Sequence, residues 1–227
     1  MWISTVSLNS ERQFAAAEQF QDGRLLVTGG FSPYLSSSEI SSDVGWDTNI
    51  PILPVTVYCH CMVTVNSTTV MVIGGAQNGP ISGKTFYFTL GAKSWIEGPT
   101  LKYSRYKHSC GKIRRDKTSQ EMSIIVAAGT NGSSIISSVE ILSEGSNVWQ
   151  AGPELPVGIE GPQMIADQNK GAVLIGGKSS SGIYLDTLYQ LPHGGQDAVW
   201  TKMNQKMKTR RLLLTATMVP DSIADCY

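Results

Sequence analysis

The feature that most constrains this chain is a short apolar segment ending in glycine that occurs four times. The segments are LLVTGG, VMVIGG, IVAAG and VLIGG, and the glycine pair, or its Ala128-Gly129 counterpart, begins at residues 29, 74, 128 and 176. The intervals are therefore 45, 54 and 48 residues. Such a period predicts a repeat architecture, in which each unit buries its apolar surface against the next one.

Tryptophans repeat with almost the same period as the glycine pairs. Successive tryptophans lie 44, 49, 54 and 51 residues apart. The chain has five of them, at Trp2, Trp46, Trp95, Trp149 and Trp200. The structural marks of the repeat are these tryptophans and seven glycines, namely Gly29, Gly30, Gly74, Gly75, Gly129, Gly176 and Gly177.

A third marker indicates where each unit begins. Arg12, Arg105 and Arg210 each stand ten residues after a tryptophan, and Thr56 and Ile159 take that place in the remaining units. The complete units therefore span about 12–46, 56–95, 105–149 and 159–200, within one domain of residues 1–227. Each unit reads as strand, hairpin turn, strand ending in the glycine pair, loop, strand, turn and tryptophan strand.

The combination of glycine pair, tryptophan and spacing resembles the kelch repeat over essentially the whole chain. The resemblance implies an all-β, kelch-type β-propeller with four complete four-stranded blades. The apolar runs lack polar alternation, which independently indicates strands covered on both faces. We expect the glycine pairs to permit strand ends with unusual dihedral angles that pass close to neighbouring backbone. A phosphate-binding loop is not predicted, because neither a Gly-Lys-Ser/Thr ending nor a helix follows them.

The two ends of the chain predict an incomplete fifth blade. Segments 2–8 and 211–219 read as its outer and inner strands, and the two middle strands are missing. Since kelch propellers usually close with about six blades, this favours a truncated product of a longer chain. A four-bladed ring with a spare strand at each end is the alternative.

The sequence shows no catalytic or metal-binding pattern. His60 and His108 occupy nearly equivalent positions of the repeat, and alternation in Cys59-His60-Cys61 places the imidazole on the opposite face from both sulfurs. No cofactor or metal is therefore predicted. The favoured function is a non-catalytic protein-protein interaction module. The alternatives are an enzyme of the copper oxidase or sugar isomerase class on a kelch-type propeller, and a structural fragment of a larger kelch protein.

The predicted binding face is formed by two sets of loops. The connections between units and the loops after the glycine pairs are expected on the same side of the sheets. They are rich in Ser, Gly, Asn and Tyr, a composition typical of recognition surfaces. Tyr106 is the expected anchor, whereas the recurrence of the arginine suggests that Arg105 only bonds loop carbonyls. The candidate partner-binding residues are Tyr34, Asn78, Arg105, Tyr106, Lys107, Asn131, Tyr184, Arg210 and Arg211.

Charge and hydropathy restrict the class of partner. Eighteen basic and eighteen acidic side chains give a formal net charge of zero, which argues against a nucleic acid or an anionic membrane. No apolar run reaches the roughly 18 residues of a transmembrane helix, so no membrane span is predicted. The expected partner is therefore a protein.

Evidence on the cellular compartment comes from the N-terminus, the cysteines and the asparagines. No basic region followed by an apolar core is visible, which favours the cytoplasm, and loss of the natural start would leave an extracellular location open. Turn preference explains the glycosylation sequons at Asn66 and Asn131 as well as modification does. For Cys61 and Cys110 a buried free thiol is expected. Three disulfide connectivities are open to the four cysteines, which are Cys59, Cys61, Cys110 and Cys226.

Overall fold

The computed structural model describes residues 6–31, 33–167, 171–195 and 197–217. These residues form strands, turns and loops, and they contain no helix that could cross a membrane. The predicted all-β class is therefore confirmed. Trp2, Cys226 and the outer parts of the predicted terminal strands lie outside the described residues.

Four antiparallel sheets follow one another along the chain. Sheet 1 contains β1 (Ala16–Gln19), β2 (Leu25–Thr28), β3 (Ser38–Ser42) and β4 (Gly45–Asp47). Sheet 2 contains β5 (Cys61–Asn66), β6 (Thr69–Ile73), β7 (Thr85–Thr89) and β8 (Ile96–Glu97). Sheet 3 contains β9 (Ser109–Arg114), β10 (Met122–Ala127), β11 (Val139–Ser143) and β12 (Gln150–Ala151).

The fourth sheet is preceded by a very short strand. This strand, β13 (Ile159–Glu160), pairs with a later one. Sheet 4 contains β14 (Gln163–Asp167), β15 (Gly171–Ile175), β17 (Thr187–Leu191) and β18 (Thr201–Lys206), and β16 (Lys178–Ser179), the partner of β13, lies between β15 and β17 in the chain. Within each four-stranded sheet the strands pair in the order of the sequence.

The first strands of the four sheets lie side by side. Strand β1 contacts β5, β5 contacts β9, and β9 contacts β14. Residues of these strands line a groove of about 600 Å³. The second strands of sheets 2 and 3 are buried over almost their whole length, which confirms that they are covered on both faces. For sheet 1 the prediction is wrong, because β2 buries Leu26 and Thr28 but leaves Leu25 exposed and Val27 half-buried on its other face.

Each tryptophan holds the last strand of its unit to the segment that precedes the unit, which explains the tryptophan period. Each indole N–H donates a hydrogen bond to a backbone carbonyl that lies shortly after the preceding tryptophan of the sequence. The bonds run from Trp46 to Val6 (3.2 Å), from Trp95 to Pro51 (2.9 Å), from Trp149 to Pro99 (2.7 Å) and from Trp200 to Pro153 (2.9 Å). An indole nitrogen that is removed from water needs an acceptor, and here each acceptor lies in the segment that precedes the tryptophan's own unit.

At the glycine pairs, neighbouring units approach each other closely. Gly29 has a φ of +61°, and a Cβ there would lie 2.3 Å from the Val57 carbonyl oxygen and 3.0 Å from Cε1 of His60. At Gly74, with a φ of +60°, a Cβ would lie 2.9 Å from Cε1 of His108. The expected reasons for the glycines, unusual dihedral angles and a close neighbour, are confirmed.

The hydrogen bonds of the second glycines correct the predicted position of the arginines. Each second glycine donates its backbone N–H to the carbonyl of the residue that begins the next unit, at 2.7–2.8 Å. The acceptors are Val57, Arg105, Ile159 and Arg211. Val57 and Arg211, rather than Thr56 and Arg210, are thus equivalent to Arg105. The prediction of a constant ten-residue offset is wrong because the preceding connection is one residue longer in these two units.

Two further predictions are wrong. The described parts of the terminal segments, residues 6–8 and 211–217, form no strand, because residues 211–213 instead bond to the backbone of Leu185, Gly177 and Gly161. Cys61 and Cys110 are joined in a disulfide, with their Cα atoms 6.0 Å apart, and are not free thiols. Neighbouring first strands bring these two sulfurs together. Cys59 is a buried free thiol.

Candidate functional site

A ladder of backbone hydrogen bonds connects the starts of all units on the face where the glycine pairs end. One residue per unit takes part, and its N–H donates to the carbonyl of the equivalent residue in the preceding unit at 2.8–2.9 Å. All five residues have left-handed backbones, with φ between +50° and +62°. They are Phe14, Cys59, Lys107, Gly161 and Leu213. Four of them are not glycine, so packing must hold them in a strained conformation.

This ladder lines a cavity of about 330 Å³ on the loop face. All five left-handed residues line it, together with His60 and His108. The residues that immediately precede the ladder form antiparallel bridges with the loops that follow the glycine pairs, as in Tyr58 with Ala76 and Tyr106 with Thr130. The connections and the loops therefore share one face, as expected from the meander.

An aromatic cluster lies on this face at the junction of units 1 and 2. The ring centroids of Phe31, Tyr34 and Tyr58 are 5.1–5.8 Å apart, in edge-on and tilted arrangements. Tyr34 keeps 39% of its surface exposed. The pKa of Tyr58 is raised mainly by burial. Tyr106 has the bridge position in unit 3 that Tyr58 has in unit 2. We call Phe31, Tyr34, Tyr58 and Tyr106 the aromatic cup.

Lys107 lies beside the cup, but its charge is already compensated. Its Nζ lies 2.5 Å from Oε1 of Glu160 and 5.2 Å from the centroid of the Tyr106 ring. Burial tends to lower the pKa of Lys107, yet the hydrogen bond and the charge of Glu160 raise it. The ammonium is therefore a fixed part of the surface and carries little net charge towards a partner.

Arg105 is not part of the exposed surface. Its side chain is completely buried and donates to the carbonyls of Ala128 and Ser138 at 2.9 Å and to Oε1 of Glu140 at 2.9 Å. The assignment of Arg105 to partner binding is thus wrong, and the suggestion that it bonds loop carbonyls is confirmed. The paired charges and hydrogen bonds offset the cost of burying the guanidinium.

The same arrangement occurs once more, in unit 1. Arg12 donates to the carbonyls of Gly29 and Ser37 and pairs with Glu39 at 3.0 Å, with both side chains buried. Burial opposes ionisation of Glu39, but hydrogen bonds from the Asn9 backbone and from Arg12 lower its pKa. Units 1 and 3 therefore contain a buried arginine–glutamate clamp, whereas units 2 and 4 have Val57 and Ile159 at the arginine position.

The remaining candidate residues are dispersed over the loop face. Tyr184 is 50% exposed, and Nζ of Lys178 lies 5.9 Å from its ring centroid. Arg210 is exposed, with Nε 3.9 Å from Asp186. The other three are exposed loop residues: Asn78, Asn131 and Arg211. None of these five belongs to the aromatic cup.

The two histidines that line the cavity, His60 and His108, are buried between the sheets. Nε2 of His60 lies 2.8 Å from Oγ1 of Thr28, while Nδ1 of His60 is buried without a partner. The buried ring of His108 has no side-chain partner and interacts with the Ile73 backbone carbonyl. Burial lowers the pKa of each to about 3. In the described part of the chain, no group of three or more His, Cys, Asp or Glu side chains is arranged to hold a metal ion.

Sequence reasoning missed two members of the aromatic cup. Tyr58 precedes a ladder residue just as Tyr106 does, 48 residues earlier in the chain. An alignment of units on these tyrosines could therefore have identified it. Phe31 gives no such signal, because Ala76 and Thr130 occupy the equivalent bridge positions in units 2 and 3.

Solved structures with the same fold are numerous, although sequence relatives were not found. No protein-family model and no curated protein matches the chain. Solved structures match in 171 chains, so the fold by itself does not indicate a function. One of them is titled "Structure of YjhT"; it has a TM-score of 0.71 and 12% identity and covers 89% of this chain and 67% of its own. The likeness shows an all-β, multi-sheet, propeller-like fold.

Proposed function

We propose that the chain is a kelch-type β-propeller module that binds another protein through the aromatic cup and has no catalytic activity. The observation that carries this proposal is the contact of three aromatic rings on an open loop face, with centroids 5.1–5.8 Å apart. Support for the kelch assignment comes from the repeated glycine pairs and from a tryptophan hydrogen bond that recurs at the same place in successive units.

The cup has the properties of a binding anchor. Aromatic side chains bury a large area on association, and rings that are already packed against one another lose little conformational entropy. The phenol groups of Tyr34, Tyr58 and Tyr106 add hydrogen-bonding capacity at the edge of this apolar surface. Because Glu160 compensates Lys107, the surface favours a partner with an uncharged, apolar or aromatic projection.

The side chains around the cavity support a non-catalytic role. A general base needs a pKa near the operating pH, whereas burial lowers the pKa of His60 and His108 to about 3. A nucleophilic cysteine needs a low pKa, whereas burial raises the pKa of the Cys59 thiol to about 11. The rival enzyme classes, copper oxidase and sugar isomerase, have no comparable support.

A binding experiment with a double variant tests the proposal. The partner is first captured from an extract of the source cells with the wild-type protein and then purified. Replacing Tyr34 and Tyr58 by alanine should weaken its binding at least about tenfold, because each buried interface aromatic contributes roughly 1 kcal/mol or more. Isothermal titration calorimetry measures the change, and the melting temperature checks that the fold is intact.

Tyr103→Ala is the matched control. Tyr103 is 47% exposed and lies outside the cup, so its replacement should leave the affinity unchanged. Equal binding by the double variant would contradict the proposed surface. Failure to capture any partner would favour a purely structural fragment, and stoichiometric copper with oxidase turnover would favour an enzyme.

A further inference from the structure

Two exposed asparagines carry the acceptor sequence for N-linked glycans. Asn66 begins the tripeptide Asn-Ser-Thr in the β5–β6 hairpin. Asn131 begins Asn-Gly-Ser in the loop between β10 and β11 of sheet 3. Their side-chain oxygens accept backbone N–H groups two residues later at 3.0 Å. The amide nitrogens, which would carry the sugar, are thus not the atoms that hold these turns.

Such tripeptides are common in turns, so they do not by themselves indicate a compartment. A separate observation, the disulfide, does. The disulfide between Cys61 and Cys110 joins the first strands of sheets 2 and 3, and the two cysteines are 49 residues apart in the sequence. Disulfides of this structural kind persist in oxidising compartments and are rare in the cytosol. Cells that attach N-linked glycans do so in such a compartment, on proteins entering the secretory route.

We propose that this protein folds in the oxidising lumen of the secretory route and is N-glycosylated at Asn66 and Asn131. This inference reverses the preference for the cytoplasm that the N-terminal residues alone suggested. It is independent of the partner-binding role and would hold even without a protein partner.

Both covalent steps have defined reactants. The thiols of Cys61 and Cys110 lose two protons and two electrons to a protein disulfide, which is reduced to a dithiol as the S–S bond forms. Each asparagine Nδ2 forms a bond to C1 of an oligosaccharide supplied as a lipid pyrophosphate. The bond between sugar and phosphate breaks, the lipid pyrophosphate leaves, and one amide proton passes to a base on the transferase.

The two glycans would stand on opposite faces of the molecule. The β5–β6 hairpin lies at the end of the strands remote from the glycine pair, whereas Asn131 follows Gly129 on the loop face. Asn131 is adjacent to Thr130, which bridges Tyr106. A glycan there would border the aromatic cup on the side of unit 3 and leave the junction of units 1 and 2 open.

The test is peptide mapping of the protein isolated from its own source cells. Digestion without reduction should yield a disulfide-linked peptide pair containing Cys61 and Cys110. Treatment with peptide N-glycosidase should convert Asn66 and Asn131 to aspartate and lower the apparent mass on a gel by two steps, one for each glycan. Thr68→Ala and Ser133→Ala, expressed in the same cells, should each remove one step.

Matched controls keep both acceptor sequences. Ser67→Ala changes the middle residue of the first tripeptide, and Ser134→Ala lies just beyond the second, so neither should alter the mobility. Unmodified asparagine at both positions would overturn the proposal. Alkylation of Cys61 and Cys110 without prior reduction would overturn it as well, since it would place the native protein in a reducing compartment.

Discussion

The interface between sheets 1 and 2 and that between sheets 2 and 3 share one backbone arrangement but differ in what stabilises them. In the first, His60 fills the crevice beside Gly29 and its Nε2 pairs with the Thr28 hydroxyl at 2.8 Å. In the second, His108 fills the crevice beside Gly74. Ile73 stands there at the position of Thr28, so the His108 imidazole has no hydroxyl partner and interacts only with the Ile73 backbone carbonyl.

The second interface has a covalent link that the first does not share. The disulfide between Cys61 and Cys110 connects β5 with β9. A buried polar group without a partner costs about 1–3 kcal/mol, and a crosslink of this span is expected to contribute about 4 kcal/mol. The repeat thus determines the geometry of each interface, while individual side chains determine how each one is stabilised.

Removal of the disulfide should have the largest effect. Replacing Cys61 and Cys110 together by alanine is expected to lower the free energy of unfolding by about 4 kcal/mol, because a crosslink spanning 49 residues restricts the unfolded chain. Urea unfolding measures the loss. Cys59→Ala removes a thiol that forms no crosslink and should cost much less. An equal loss from both variants would break the distinction between the two interfaces.

Acidification should weaken both interfaces equally. The pKa of His60 and of His108 is about 3 in the folded protein, against about 6.5 in an unfolded chain. Between pH 6.5 and pH 3 the unfolded state therefore binds more protons than the folded state. The contribution of the two histidines to stability is fully present above pH 6.5 and is lost as the pH falls towards 3. At pH 5.5 the two residues together should remove about 3 kcal/mol.

Urea unfolding of single variants at pH 7.5 and 5.5 checks this prediction. In His60→Gln and in His108→Gln, the difference in unfolding free energy between the two pH values should fall by about half. An unchanged pH dependence in either variant would show that its histidine is protonated in the folded protein.

The smallest expected effect concerns the hydroxyl that distinguishes the interfaces. Thr28→Val should cost about 1–3 kcal/mol, since it leaves Nε2 of His60 unpaired. At the other interface, Ile73→Thr and Ile73→Val both remove buried apolar volume, but only threonine offers His108 a side-chain partner. Thr is normally the less stable choice in a core. Here we expect the Thr variant to unfold at the same or a higher urea concentration than the Val variant, and the reverse order would refute the equivalence of positions 28 and 73.

The fold was largely predictable because its markers are local. A residue with left-handed φ at a strand end strongly favours glycine, so Gly29 and Gly74 are visible without knowledge of their neighbours. A tryptophan recurs in every unit, as at Trp95 and Trp149, because its indole bonds to the connection that precedes the unit. The one-residue error at Val57 arose because a constant offset from tryptophan ignores the length of the connecting loop.

The candidate site was predictable only in part. Tyr106 and Lys107 were placed correctly on the loop face, since the meander decides which connections lie there. The burial of Arg105 depends on Glu140, 35 residues later, whose carboxylate must reach the guanidinium across the sheet. Such a pair gives no signal in either local segment.

The sequence by itself determined the repeat, the all-β class and the face that carries the variable loops, because dihedral preferences and apolar patterning act over a few residues. Only the tertiary structure decided that Tyr34 of unit 1 meets Tyr58 of unit 2 and that Cys61 meets Cys110. Both contacts cross an interface between units. Their existence depends on how closely two sheets approach, and the Gly29 and Gly74 backbones allow that approach without specifying which side chains will fill it.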